Sequence, residues 1–142
     1  MKRLLAAAGA LAALAVTGCG ASSPTVTSKV IPTATAAQGK GIVGRGAKLY
    51  EEDGCEGCHS LNGTRMTGPS WKGLAGSTVH LANGRTLVAS NAYLKDHILD
   101  PNAWTVKGYP GEVMAAAIEE LHLAKHPQDV AALVAFIDSL RG

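Results

Sequence analysis

Apolar positions along this chain change their period several times. In "GIVGRGAKLYEEDG", Val43, Gly46, Ala47 and Tyr50 recur at helical spacing, and Gly54 supplies a stop. "HPQDVAALVAFIDSLRG" carries a second stripe of Val130, Leu133, Val134, Ile137 and Leu140, with Pro127 in the first turn and Asp129 at the positive dipole end. A third helix, "NAYLKDHIL", follows Ser90 and stops at Asp100-Pro101. A fourth is expected after Met114, through "AAAIEELHL". In "STVHLANGRTLVAS", Asn83-Gly84 separates two β-prone runs, which predicts a hairpin with a two-residue turn near residues 78–88. Residues 41–142 therefore read as an all-α domain with one small hairpin.

The amino-terminal pattern is different. Lys2 and Arg3 precede an apolar run from Leu4 to Val16, shorter than the roughly 20 residues of a spanning helix. This predicts an export signal. The run ends in "VTGC", which resembles the lipobox of bacterial lipoproteins. The resemblance implies a signal peptide over residues 1–18 and diacylglyceryl attachment to Cys19; the plainer alternative is an ordinary cleavage site beside an incidental cysteine. Each buried methylene of a lipid chain contributes ~0.8 kcal/mol, so more than one chain on Cys19 would hold the protein at a membrane. Residues 19–40, rich in Ser, Thr, Ala and Pro, read as a flexible tether with a mean reach of about 25 Å.

Charge changes once the signal is removed. The whole chain has 13 basic and 11 acidic residues, and loss of Lys2 and Arg3 leaves 11 of each. From Gly41 onward 9 basic residues face 11 acidic ones. The apparent basicity is therefore no footprint of nucleic-acid binding. With 17 glycines and only six aromatic residues in the whole chain, large core side chains are scarce. A small core of this kind is marginal, so a cofactor is expected to fill the middle.

The candidate chemistry lies in "EDGCEGCHSLNG", where Cys55, Cys58 and His59 form a Cys-x-x-Cys-His motif. Two thiols one helical turn apart, followed by an imidazole, are the attachment signal for c-type haem. Each thiol adds to a haem vinyl group and the adjoining imidazole lies beneath the iron. Zinc and a redox dithiol are the rivals. Zinc needs four ligands, and although His122 and His126 have suitable mutual spacing, 63 residues separate Cys58 from His122. A thioredoxin-like pair expects a βαβ setting, of which no pattern is present.

Several segments together carry a family likeness. "GRGAKLYEEDGCEGCHS" and the run "GPSWKGLAGSTVHLANGRTLVASNAYLKDHILDPNAWTVKGYPGEVM" resemble class I c-type cytochromes, and most closely the cytochrome c domain fused to subunit II of haem–copper oxidases. The likeness covers nearly all of residues 41–142. It implies a small fold of four or five helices around one covalently attached haem c. By this resemblance Cys55 and Cys58 form the thioethers and His59 is the proximal ligand. Pro69 then offers the carbonyl that accepts the His59 Nδ1 proton, and Met114 is the distal ligand. Gly46 and Tyr50 match the crossing of the first helix with the last, where Phe136 and Ile137 lie. One departure stands out: the ligand methionine is commonly followed by proline, and here by Ala115. Met66 is a rival sulfur, awkwardly placed seven residues past His59. His80, His97, His122 and His126 read as surface side chains, and Glu51, Glu52 and Asp53 as a solvated helix end. Lys72 and Lys95 are weak evidence for a partner. Trp71, Trp104 and Tyr109 fit either a haem contact or an ordinary core.

The resemblance implies an electron-transfer protein and not an enzyme. It would be lipid-anchored on the outer face of the bacterial cytoplasmic membrane, with a quinol-oxidising complex as donor and a terminal oxidase as acceptor. The alternative is a haem peroxidase or gas sensor, should Met114 leave the sixth iron position open.

Overall fold

The computed structural model describes residues 41–142. The expected signal peptide, Cys19 and the tether lie outside the described residues. Four α-helices and one two-stranded antiparallel sheet make up the regular structure among those residues: α1 (Ile42–Glu52), β1 (Thr78–His80), β2 (Thr86–Val88), α2 (Asn91–Leu99), α3 (Gly111–Leu121) and α4 (Pro127–Ser139). This is the mostly helical fold with a small hairpin that the sequence pattern predicts. No helix among the described residues is long and apolar enough to cross a membrane.

The packing is organised by α1 and α4. Both helices present small residues where they meet: a Cβ built on Gly46 would lie 2.0 Å from the carbonyl oxygen of Ala132 and 2.6 Å from Cβ of Phe136. Only a glycine lets the backbones approach this closely. Tyr50, one turn further along α1, packs its ring 4.9 Å from that of Trp71 and 5.8 Å from that of Phe136. Phe136, Leu133 and Val130 of α4 are among the most completely buried side chains of the core, together with Leu81 beside the hairpin. At the solvent side of the crossing Arg45 pairs with Asp129, the same aspartate that sits in the first turn of α4.

The remaining elements frame a cleft against this pair. Ser90 caps α2 by accepting from the Tyr93 N–H at 3.2 Å, and Asp100 ends the helix while its carboxylate accepts from Ala103 N–H at 3.3 Å. The hairpin turn departs from the two-residue expectation. Leu81 N–H bonds Arg85 O at 2.8 Å and Gly84 N–H bonds Leu81 O at 3.1 Å, so Ala82, Asn83 and Gly84 form a three-residue loop. Gly84 takes the left-handed conformation with φ +83°, which suits a type I turn closed by a glycine bulge. An Asn-Gly pair serves both turn types, so the motif locates the turn without fixing its length.

Helix α3 also departs from expectation, since it begins at Gly111 and takes in Met114. Ala115 explains this. At the fifth helical position its N–H is needed for the first intrahelical bonds, and the proline common there would have removed that donor. Beyond α3 the chain turns at His122, the sole non-glycine residue with positive φ (51°) among those described.

Gly46→Ala is expected to destabilise the haem-loaded protein by about 1–3 kcal/mol through overpacking, despite the ~1 kcal/mol that alanine gains over glycine in a helix. A urea titration against wild type measures it. A neutral result would mean that the two helices separate without loss.

Candidate functional site

The Cys-x-x-Cys-His segment is wound by the backbone itself. Gly54, left-handed at φ 71°, turns the chain out of α1 into a short 3-10 turn over Cys55–Gly57. The Cys55 carbonyl accepts from both Cys58 N–H (3.1 Å) and His59 N–H (2.9 Å), so the two cysteines and the histidine share one compact turn. Both thiols are half-buried and neither is in a disulfide. Burial pushes the Cys55 thiol up to about 12, and the nearby Asp53 and Glu56 carboxylates add to the effect. Such a thiol is neutral, the opposite of the low-pKa thiolate of a redox pair.

His59 is the best-anchored side chain of the site. It is only 8% exposed. Its Nδ1 lies 2.8 Å from the Pro69 carbonyl oxygen; because a carbonyl only accepts, Nδ1 carries the proton and Nε2 presents its lone pair. Burial lowers the His59 pKa, against a smaller rise from the Pro69 bond, which favours the neutral imidazole. The ring is held on other sides as well. A Cβ on Gly68 would fall 2.5 Å from His59 Cε1, the Trp71 ring lies 5.3 Å away, and the Tyr50 hydroxyl donates to His59 O at 2.5 Å.

The opposite wall comes from residues 105–118. Its first residues pair with the hairpin, through Ala82 N–H to Thr105 O (2.9 Å) and Lys107 N–H to His80 O (2.8 Å). Tyr109, Pro110 and Gly111 then lead into α3, which contributes Met114 and Ile118. Between the walls lies a cleft that Cys55, Cys58, His59 and Met114 all line. Its lining is predominantly apolar, with a few polar groups converging on it, as is usual for cofactor sites. A second cavity shares His59, Trp71, His97 and Met114 with it and extends towards Thr78 and Lys107.

The other singled-out residues divide clearly. Trp71 is a core aromatic that also borders the cleft, whereas Trp104 and Tyr109 are half-buried. Met66 is exposed and is not among the residues lining either cavity. Glu51, Glu52, Lys72, Lys95, His80, His122 and His126 are exposed as expected, while Asp53 is half-buried. His97 corrects its surface reading. It lines both cavities and stacks on Tyr93 at 5.4 Å, and its Nδ1 is a buried side-chain polar atom with no hydrogen-bond partner among the described residues. The signal was available, because His97 follows Tyr93 by four positions and so shares its helical face.

The cleft fits a flat, largely apolar macrocycle held by two thiols and faced by one imidazole with a free lone pair. The zinc rival finds no support, since no group of three or more His, Cys, Asp or Glu residues that could hold a metal ion occurs among the described residues. Fold and site together define a protein that binds haem covalently. The family model for cytochrome c matches residues 43–141, and the chain belongs to that family. Its cofactor is covalently attached haem c, with Cys55 and Cys58 fitting the attachment motif. Membership makes it a haem-based electron carrier of the class I type. No curated protein matches the chain.

Acid sensitivity follows from His97. Burial is the leading cause that lowers its pKa, and Asp100 opposes it. Below its ordinary value of 6.5 the unfolded chain takes up a proton that the folded chain resists. This contribution to stability is therefore fully present above about pH 6.5 and lost as pH falls towards the depressed folded value. The slope for one such group is at most ~1.4 kcal/mol per pH unit. His97→Leu is expected to flatten the fall between pH 7.5 and pH 5, measured by urea titration of the haem-loaded protein; an unchanged slope would show that His97 does not titrate there.

Proposed function

We propose that the protein is a membrane-anchored, single-haem cytochrome c that carries single electrons in a respiratory chain, with His59 and Met114 as the axial iron ligands. The observation that carries this reading is the single apolar cleft onto which Cys55, Cys58, His59 and Met114 all open. When bound, haem supplies a one-electron iron couple, and a neutral thioether opposite an imidazole raises its potential.

The protein's own groups do the rest. Cys55 and Cys58 would hold the macrocycle through thioether bonds. The Pro69 carbonyl fixes the His59 tautomer and strengthens it as a donor, while Gly68 and Trp71 keep the ring from rotating. Met114 is delivered from the first turn of α3, opposite that wall. With His59 and Met114 both holding the iron, no position would be left for an external ligand, and this favours electron transfer over peroxidase or sensor chemistry. The apolar lining excludes water and lowers the local dielectric.

Anchoring and partners rest on the sequence. "VTGC" supports diacylglyceryl attachment at Cys19, and the tether supports a domain that ranges over the outer face of the cytoplasmic membrane. Likeness to the oxidase-fused domains supports a terminal oxidase as acceptor and a quinol-oxidising complex as donor.

The deciding experiment is the visible spectrum of protein made in cells that attach haem. Sharp low-spin bands on reduction and the weak red band of an iron–methionine bond on oxidation are expected. Met114→Ala should lose the red band, lower the reduction potential and let the ferrous protein bind carbon monoxide. Carbon monoxide binding by the wild type would overturn the Met114 assignment. A separate expectation concerns location: Cys19→Ser should release the protein from washed membranes into the soluble fraction, and retention would sink the lipid anchor.

A further inference from the structure

Arg65 lies in the loop between His59 and Pro69, and the haem motif gives it no task. Its guanidinium nevertheless reaches the opposite wall of the cleft. Nη2 donates to the Gly108 carbonyl at 2.6 Å, and the guanidinium carbon sits 4.4 Å from the centroid of the Tyr109 ring. Gly108 adopts φ +84°, and a Cβ there would come 3.2 Å from Arg65 Nη2. Glycine therefore leaves room for the guanidinium as well as allowing the turn.

The segment that Arg65 grips has a particular place in the site. It begins at Lys107, paired to the hairpin through His80. It ends at Gly111, which packs so closely against Asn102 and Thr105 that a Cβ would lie 2.9 Å from Asn102 Oδ1. Between these two fixings Tyr109 and Pro110 line the cleft, and three residues past Gly111 stands Met114. The hairpin and the Asn102 turn hold the segment from its own side. Arg65 holds it from the loop that also carries Pro69, the His59 acceptor.

We propose that Arg65 is a positioning residue, a clasp across the mouth of the haem cleft that keeps the Gly108–Gly111 segment closed and, through it, keeps Met114 on the iron. This rests on the assignment of Met114 as distal ligand. The clasp is a charge-assisted bond to a carbonyl together with a cation over an aromatic face. Exposed contacts of this kind shift a closed–open equilibrium by about tenfold. An external ligand that enters only when the segment opens binds with an apparent affinity proportional to the open fraction.

The test is titration of the ferric, haem-loaded full chain with imidazole, followed by loss of the red iron–methionine band. Arg65→Ala is expected to bind imidazole about tenfold more tightly than wild type. Arg65→Lys, which keeps a cation near Tyr109 but loses the planar fork, should fall between the two. A purely structural role would lower the urea midpoint of R65A and leave its imidazole affinity unchanged far from the unfolding transition. That result, in a protein whose wild type shows the red band, overturns the clasp alone. Absence of the band from the wild type overturns the Met114 assignment and the clasp together.

Discussion

The contact between Gly46 and the Ala132 carbonyl is the constraint on which the other features rest. Two helices far apart in sequence come within backbone distance only because the residue on one of them has no side chain. That approach places Tyr50 between Trp71 and Phe136, and from there its hydroxyl meets the His59 carbonyl. The histidine of the attachment motif is thus hung from the helix crossing. A change at Gly46 is felt at His59 without touching it, because the same tyrosine belongs to both the core and the site.

The two walls of the cleft are built differently. On the His59 side the chain is stitched to itself over a short span. Gly68 N–H bonds Cys58 O, Trp71 N–H bonds Ser60 O, and Ser70 Oγ donates to Ser60 O. On the Met114 side the segment leans on distant partners: the hairpin, the Asn102 turn and Arg65. The near wall forms from local contacts, with little loop-closure entropy to overcome, whereas the far wall needs several remote elements in place. A cofactor fixed covalently to the near wall gives the far wall an apolar surface on which to close.

Much of this was legible in the sequence, for identifiable reasons. The stripes of α1 and α4 have helical period and face a core, so burial follows period. Cys55, Cys58 and His59 are adjacent in sequence, and their geometry is set by one turn of backbone. The Pro69 carbonyl could be named only by family likeness, since no side-chain pattern marks a carbonyl acceptor. The start of α3 was hidden because Gly111-Glu112-Val113 after Pro110 reads as loop; the helix owes its early start to contacts at Gly111 and to the donor that Ala115 retains. His97 is masked in the sequence by the charged Lys95 and Asp96 beside it, although Tyr93, four positions earlier, shares its helical face. Arg65 left no signal, as its partners lie 43 and 44 positions away in sequence and one of them is a backbone carbonyl.

Ala115 has a further consequence. By allowing α3 to run through residue 114, it mounts the proposed distal sulfur on a hydrogen-bonded helix instead of a free loop. An electron carrier must change the charge of its metal without much rearrangement of the atoms around it, because each displaced ligand adds to the activation barrier of every hop. A thioether seated on a helix, opposite an imidazole pinned by a carbonyl, has little freedom to follow the change in charge. The substitution that spoils a familiar loop motif would in this way lower the nuclear reorganisation that accompanies each transfer.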